Sequence, residues 1–107
     1  MKVLLSPMAK QDLIDIKLYI TNNLSNSIAA ASVVSRITKQ LRNLAEVPRF
    51  GSPLSSIVDV DTDYRYLLCG NYTAFYRIED KIIYVDQILY GRRNFMKILF
   101  GISIEDE

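Results

Sequence analysis

Tyr-Arg-Tyr-Leu-Leu-Cys-Gly-Asn-Tyr-Thr-Ala-Phe-Tyr-Arg-Ile-Glu-Asp-Lys-Ile-Ile-Tyr-Val-Asp-Gln-Ile-Leu-Tyr-Gly-Arg-Arg, residues 64–93, decides the fold. Tyr, Ile, Val and Phe dominate it, and β-branched and aromatic side chains suit a half-buried pleated surface. Gly70-Asn71 is a two-residue connection of the kind that closes a tight hairpin. Glu79-Asp80-Lys81 is a second, charged turn. Three consecutive antiparallel strands follow from these breaks: Tyr64–Cys69, Tyr72–Ile78 and Ile82–Tyr90.

The turns imply a register. With Gly70-Asn71 as the loop, Cys69 faces Tyr72, Leu67 faces Ala74 and Arg65 faces Tyr76. Side chains alternate along a strand. One face should therefore carry Leu67, Cys69, Ala74, Tyr76, Ile78, Ile83, Val85 and Leu89, an apolar set for the core, with Gln87 as a misfit. The other face should carry Tyr64, Tyr66, Thr73, Phe75, Arg77, Tyr84, Asp86, Ile88 and Tyr90. A slip of one residue would exchange the two sets.

Working outward toward the N-terminus, Lys2–Leu5 is a short apolar run that reads as a strand. Ser6-Pro7 is a helix start, with Ser as cap and Pro in the first turn. Ala9, Leu13, Ile16, Ile20 and Leu24 then recur at helical spacing. After Asn22–Asn26, with Ser25 or Asn26 as cap, a second stripe runs through Ala30, Val34, Ile37, Leu41 and Leu44. Its polar side carries Arg36, Lys39 and Arg42, a solvent face. Two amphipathic helices with a short link form a helical hairpin. Pro48 ends the second helix, and Val47–Pro53 reads as a loop. Leu54–Val60 reads either as loop or as a short helical turn. Arg92–Phe100 should form a last helical turn or two, and Gly101–Glu107 should fray. The fold class is α+β: an N-terminal strand, an antiparallel helical hairpin packed on a mainly antiparallel sheet, and a short C-terminal helix. The hairpin should cover the apolar sheet face. The aromatic face stays open unless the last helix folds across it, and exposed aromatic surface on a small domain marks a partner or ligand site.

Composition narrows the function. The 107 residues suit one domain, 1–107, with 50% hydrophobic and 23% charged residues, as in an ordinary globular protein. No apolar run approaches the roughly 20 residues that cross a bilayer, and no signal-peptide core is evident, so a cytoplasmic protein with no membrane partner is expected. The single Cys69 excludes an internal disulfide and reads as a small core hydrophobe. With no histidine, neither a metal site nor a His-based triad is expected, and no cofactor. The net charge of +1 hides an uneven distribution. Arg92, Arg93 and Lys97 cluster near the end, and Glu105-Asp106-Glu107 offsets them.

The chain resembles the RelE/ParE toxin superfamily. The resemblance lies in Asp12–Ile20, in the Pro48…Gly51…Pro53 loop, and above all in Asn71-Tyr-Thr-Ala-Phe-Tyr-Arg-Ile78 followed by Ile83-Tyr-Val-Asp-Gln-Ile-Leu-Tyr-Gly-Arg-Arg-Asn-Phe95. It runs from about Ser6 to Phe95. It implies a type II toxin neutralised by a cognate antitoxin that wraps it. RelE-like members cleave messenger RNA on the ribosome, whereas ParE-like members poison DNA gyrase and cleave nothing. The fold is shared, so the site must decide.

The positions that match the nuclease pattern are poorly furnished. Thr73 stands where RelE-like nucleases carry an Arg, and a hydroxyl cannot hold a phosphorane as a guanidinium does. Asn94–Phe100 contains neither Tyr nor His, and Tyr90 stands where His is commonest. Only Arg93 matches a nuclease Arg. These departures favour the ParE-like branch, with Gly91–Phe100 as effector surface and Arg92, Arg93, Phe95, Tyr84, Tyr66, Phe75 and Phe100 as target- or antitoxin-binding residues. The alternative is a ribosome-dependent endonuclease with a degenerate site of Arg93, Arg92, Tyr90 and Arg77. Tyr84 and Asp86 would then help move protons, although a phenol with a pKa of about 10 is a poor base at neutral pH. A third reading is an inactive binding module of the same fold.

Each residue also has a plainer reading. Tyr66, Phe75 and Tyr84 could fill a minor core under the C-terminal segment. Arg77 with Asp86 could be a cross-strand ion pair. Arg92-Arg93 could open a helix, where cations oppose the helix dipole. Phe95, Ile98, Leu99 and Phe100 either pack back or receive an antitoxin helix. The antitoxin is expected on Arg92-Arg93 or on the aromatic face.

Overall fold

The computed structural model describes residues 1–101. The elements are β1 (Lys2–Leu5), α1 (Pro7–Asn23), α2 (Ser27–Asn43), β2 (Ser52–Pro53), a 3-10 turn (Leu54–Ser56), β3 (Arg65–Cys69), β4 (Tyr72–Glu79), β5 (Ile82–Tyr90) and α3 (Phe95–Phe100). The sheet order is β1-β5-β4-β3-β2, antiparallel except that β1 runs parallel to β5. Both helix caps are side chains. Ser6 Oγ accepts from the Ala9 amide at 2.9 Å, and Asn26 Oδ1 accepts from the Ala29 amide at 2.9 Å. The core lies between the helical hairpin and one sheet face. Ile16, Ile20, Ile37 and Leu41 meet Leu67, Ala74, Tyr76, Ile83 and Val85 there, all buried. Leu24 leaves the expected stripe and is exposed, because α1 has already ended at Asn23.

The β3–β4 register is the expected one: Cys69 faces Tyr72, Leu67 faces Ala74 and Arg65 faces Tyr76. Asp80 and Lys81 both take positive φ, which closes the β4–β5 hairpin on two residues. The β4–β5 pairing keeps step only as far as Tyr76↔Val85. The next pair is Phe75↔Gln87, so Asp86 is an extra residue and β5 carries a bulge. Past the bulge the alternation reverses. Ile88, not Leu89, is buried against Ala74 on the helix face, and Tyr90 follows it there, facing Tyr72. Gln87, a misfit on the core face, points the other way beside Phe75. The expected placement of Ile88, Leu89 and Tyr90 is thus corrected by one inserted residue.

The aromatic face is not open. Phe95 stacks on Phe75 with centroids 5.6 Å apart and planes 10° from parallel. Phe100 meets Tyr64 edge-on at 5.9 Å. Phe75 is 0% exposed and Thr73 1%. The minor-core reading holds for Phe75, which meets a partner only if α3 is displaced. The last helix begins at Phe95, not Arg92, so Arg92 and Arg93 belong to a turn between Gly91 and Asn94 rather than to a helix start. Gly101 closes α3 in the left-handed region, its amide donating to Lys97 O at 2.8 Å. The remaining tail, with Glu105-Asp106-Glu107, lies outside the described residues.

The Pro48–Gly51 loop is tied down from beneath. The Tyr76 hydroxyl donates to Pro48 O at 2.9 Å and accepts from the Gly51 amide at 3.1 Å. One Arg65 guanidinium nitrogen donates to Arg49 O at 3.2 Å and to Gly51 O at 2.7 Å. This loop leads into β2, a two-residue edge strand that no periodicity announces.

Candidate functional site: a tyrosine-lined groove beside Arg93

Where β1 ends, α1 takes over the free edge of β5. The Ser6 amide donates to Val85 O at 2.9 Å, and Ser6 Oγ donates to Asp86 O at 2.8 Å. Two residues on, the Ile88 amide donates to Asp12 Oδ2 at 2.8 Å. The first turns of α1 therefore follow the strand across its bulge. Farther along, α1 and the start of α2 part from the sheet and leave a groove of about 770 Å³. Its floor is Tyr72, Ile88 and Tyr90. Asp12, Asp15 and Tyr19 form one wall, and Arg93, Asn94 and Ile98 the other.

The groove is aromatic at its centre and oppositely charged at its sides. Tyr72 and Tyr90 meet edge-on at 5.5 Å, and the Arg93 guanidinium sits 5.4 Å from the Tyr90 ring centre. Burial, helped by Tyr90 and Tyr19 nearby, holds the Tyr72 phenol above its ordinary range. It stays protonated at neutral pH and supplies no base. Burial also raises the Asp12 carboxyl. The Ile88 amide opposes the rise and Asp15 adds to it. The lining suits apolar side chains between the tyrosines, a carboxylate at Arg93 and a cation at Asp15.

The Asp12 shift carries a sign. A carboxyl raised on folding makes the folded state hold its proton longer, so this group's contribution falls as pH rises through the raised value. Asp12→Asn keeps an oxygen for the Ile88 amide and removes the charge. Wild type should gain stability relative to Asp12→Asn as pH falls from neutral into the carboxylate range, read by urea unfolding at each pH. Asp12→Ala, which strands the Ile88 amide, should cost about 1–3 kcal/mol at neutral pH. A pH-independent gap between wild type and Asp12→Asn would refute the assignment.

The sequence-derived site residues divide. Tyr90 and Arg93 meet at the groove, and Arg92 is exposed beside them. Arg77 lies on the opposite face. Its Nε donates to Asp86 Oδ2 at 2.9 Å, it pairs with Glu79, and it covers the Tyr84 ring at 4.8 Å. The Tyr64 hydroxyl donates to the same Asp86 oxygen at 2.9 Å. Arg77, Tyr84 and Asp86 are thus an ion-paired cluster, and Arg77 does not join Tyr90, Arg92 and Arg93. Phe95 and Phe100 are half-buried within α3, and Tyr66 is half-buried in β3 opposite Phe75. Asp12, Asp15, Tyr19 and Tyr72 were missed. Tyr19, an aromatic off the apolar stripe of α1, was the available signal. Among the described residues no cluster of His, Cys, Asp or Glu could hold a metal, and no helix is long and apolar enough to cross a membrane.

Comparison with known proteins bears on the family and the fold. The family model described as "ParE toxin of type II toxin-antitoxin system, parDE" matches residues 3–95. Among solved structures, a chain titled "Chromosomal ParDE TA system from P. aeruginosa" superposes with a TM-score of 0.71 at 24% identity, over 84% of this chain and 95% of that one. That likeness concerns the fold. No curated protein matches the sequence.

Proposed function

We propose a function on one premise: the chain belongs to the ParE toxin family of type II toxin–antitoxin systems. It arrests growth by binding DNA gyrase, without cleaving nucleic acid, and the Gly91–Phe100 segment with Arg92 and Arg93 is its effector surface. One observation carries this reading. Of the four residues of the alternative nuclease site, Arg77 stands apart from Tyr90, Arg92 and Arg93. Arg77 is committed to Asp86 and Glu79 on one face, while Tyr90 and Arg93 stand on the other. Thr73, at the position of the nuclease Arg, is sealed at 1% exposure. Cleavage through the 2′-hydroxyl requires cations and a proton acceptor around one phosphate.

A cognate antitoxin neutralises the protein by filling the tyrosine groove. Its segment is amphipathic and acidic, so that a carboxylate reaches Arg93 while apolar side chains enter between Tyr19, Tyr72 and Tyr90. Arg93 forms part of the groove wall, so an occupant covers the effector surface directly.

Purified protein in stoichiometric excess should block supercoiling of relaxed plasmid by gyrase. Changing Arg92 and Arg93 together to Ala should weaken the block by at least about tenfold, equivalent to 1.4 kcal/mol. Purified antitoxin should restore supercoiling. Unaffected supercoiling would end the gyrase reading. Codon-edge cuts in ribosome-bound message, lost in Arg93→Ala, would put the nuclease in its place.

A further inference from the structure

Val47 and Phe50 sit in one turn after α2, closed by the Phe50 amide on Val47 O at 3.1 Å. They are 51% and 64% exposed. An exposed aromatic in a loose loop would mean little. This one is held by four hydrogen bonds from beneath, two from the wholly buried Tyr76 and two from Arg65. Arg65 leaves its own Nε buried without a partner while it holds the loop carbonyls. Gly51 has no room for even a β-carbon. The Met1 ammonium donates to Ala45 O at 2.8 Å, bringing another exposed apolar side chain to the end of α2. Buried polar groups that fix a backbone whose side chains point to water make a preformed anchor, since little order remains to be imposed on binding.

We propose that Phe50, flanked by Val47 and Arg49, is an anchor that inserts into an apolar pocket bordered by carboxylates on the protein target of growth arrest. This rests on the reading of the chain as a target-binding toxin and adds to it a second contact, apart from Arg92 and Arg93. A protein is favoured over nucleic acid because the turn is mostly apolar and carries the exposed Glu46, which a phosphate backbone would repel. Arg49 is exposed and has no ion pair among the described residues, so its charge is free for an acidic rim. The target is favoured over the antitoxin because the turn leads into β2, at the sheet edge away from β1 and β5, whereas the tyrosine groove lies against α1 and β5. The span from β5 to β2 is about 14 Å at ordinary strand spacing.

The test compares wild type, Phe50→Ala and Arg49→Glu in three assays: growth arrest on induced expression, gyrase supercoiling, and affinity for purified antitoxin. Thermal unfolding confirms that each variant is folded. Phe50→Ala should weaken inhibition by about thirtyfold, the effect of removing an interface hot spot, and Arg49→Glu should weaken it too. Antitoxin affinity should not move. Full toxicity of Phe50→Ala overturns the proposal. So does loss of antitoxin affinity with toxicity intact, which makes the antitoxin the occupant. Binding of plasmid or RNA that disappears in Phe50→Ala makes the turn a nucleic-acid surface instead. If wild type arrests growth but leaves supercoiling alone, the gyrase reading fails while growth arrest still tests Phe50. If wild type does not arrest growth, the toxin reading and this inference fall together.

Discussion

Phe75→Ala should destabilise the protein by about 3–5 kcal/mol, the usual cost of emptying a buried aromatic site. Phe75 is 0% exposed, lies between Tyr66 and Gln87 across the sheet, and supports the Phe95 ring from below. The variant should also free α3. That helix has six residues, no buried side chain and no side-chain cap, and so short a helix does not hold by itself in water. Urea unfolding would give the first effect, and hydrogen exchange at residues 95–100 the second. Phe75→Leu, which keeps most of the volume, should lose far less. A loss below about 0.5 kcal/mol in Phe75→Ala, the size of an ordinary surface effect, would return Phe75 to the role of an exposed contact.

Gly51→Ala should cost about 3 kcal/mol, at the high end for overpacking. A β-carbon there would lie 2.4 Å from Tyr66 O and 2.8 Å from the Tyr76 hydroxyl. The first neighbour is backbone of β3 and cannot swing aside. Moving the loop instead breaks the Tyr76 and Arg65 hydrogen bonds. Denaturant unfolding measures the change, and a variant within about 0.5 kcal/mol of wild type, again the surface range, would mean that the loop yields freely. The loss would also misplace Phe50, so stability and toxicity should fall together in Gly51→Ala, whereas Phe50→Ala separates them.

Much of this was legible in the residues. Gly70-Asn71 set the β3–β4 register, Ser6-Pro7 started α1, and the stripe from Ala30 to Leu44 buried one side of α2. The bulge was visible as a contradiction. Gln87 sat on an apolar face and Ile88 on a polar one, and a single extra residue at Asp86 resolves both. What stayed hidden depends on non-local packing. The residues left open whether Phe95 and Phe100 pack back or await a partner, and the contacts with Phe75 and Tyr64 decide it. The groove joins α1 to the Asn71 and Gly91 turns, which lie far apart in sequence. β2, with two residues and one of them proline, has no period to detect.

Among the described residues the first strand pairs with the last. Lys2–Leu5 lie beside Ile82–Val85, an offset of 80 residues, whereas β3, β4 and β5 close on adjacent turns. On the ribosome the helical hairpin emerges early, but β5, the strand whose edge α1 follows, comes only after β3 and β4. β1 must wait for some 80 further residues before its partner is made, and pairing across so large a separation is slow. Synthesis at about 5–20 residues per second sets that delay. Arg92 and Arg93 emerge later still. A nascent or prematurely terminated chain therefore lacks both a finished sheet and the basic turn. On the proposed reading, an antitoxin already present would meet the protein just as β5 and the Arg92-Arg93 turn take shape.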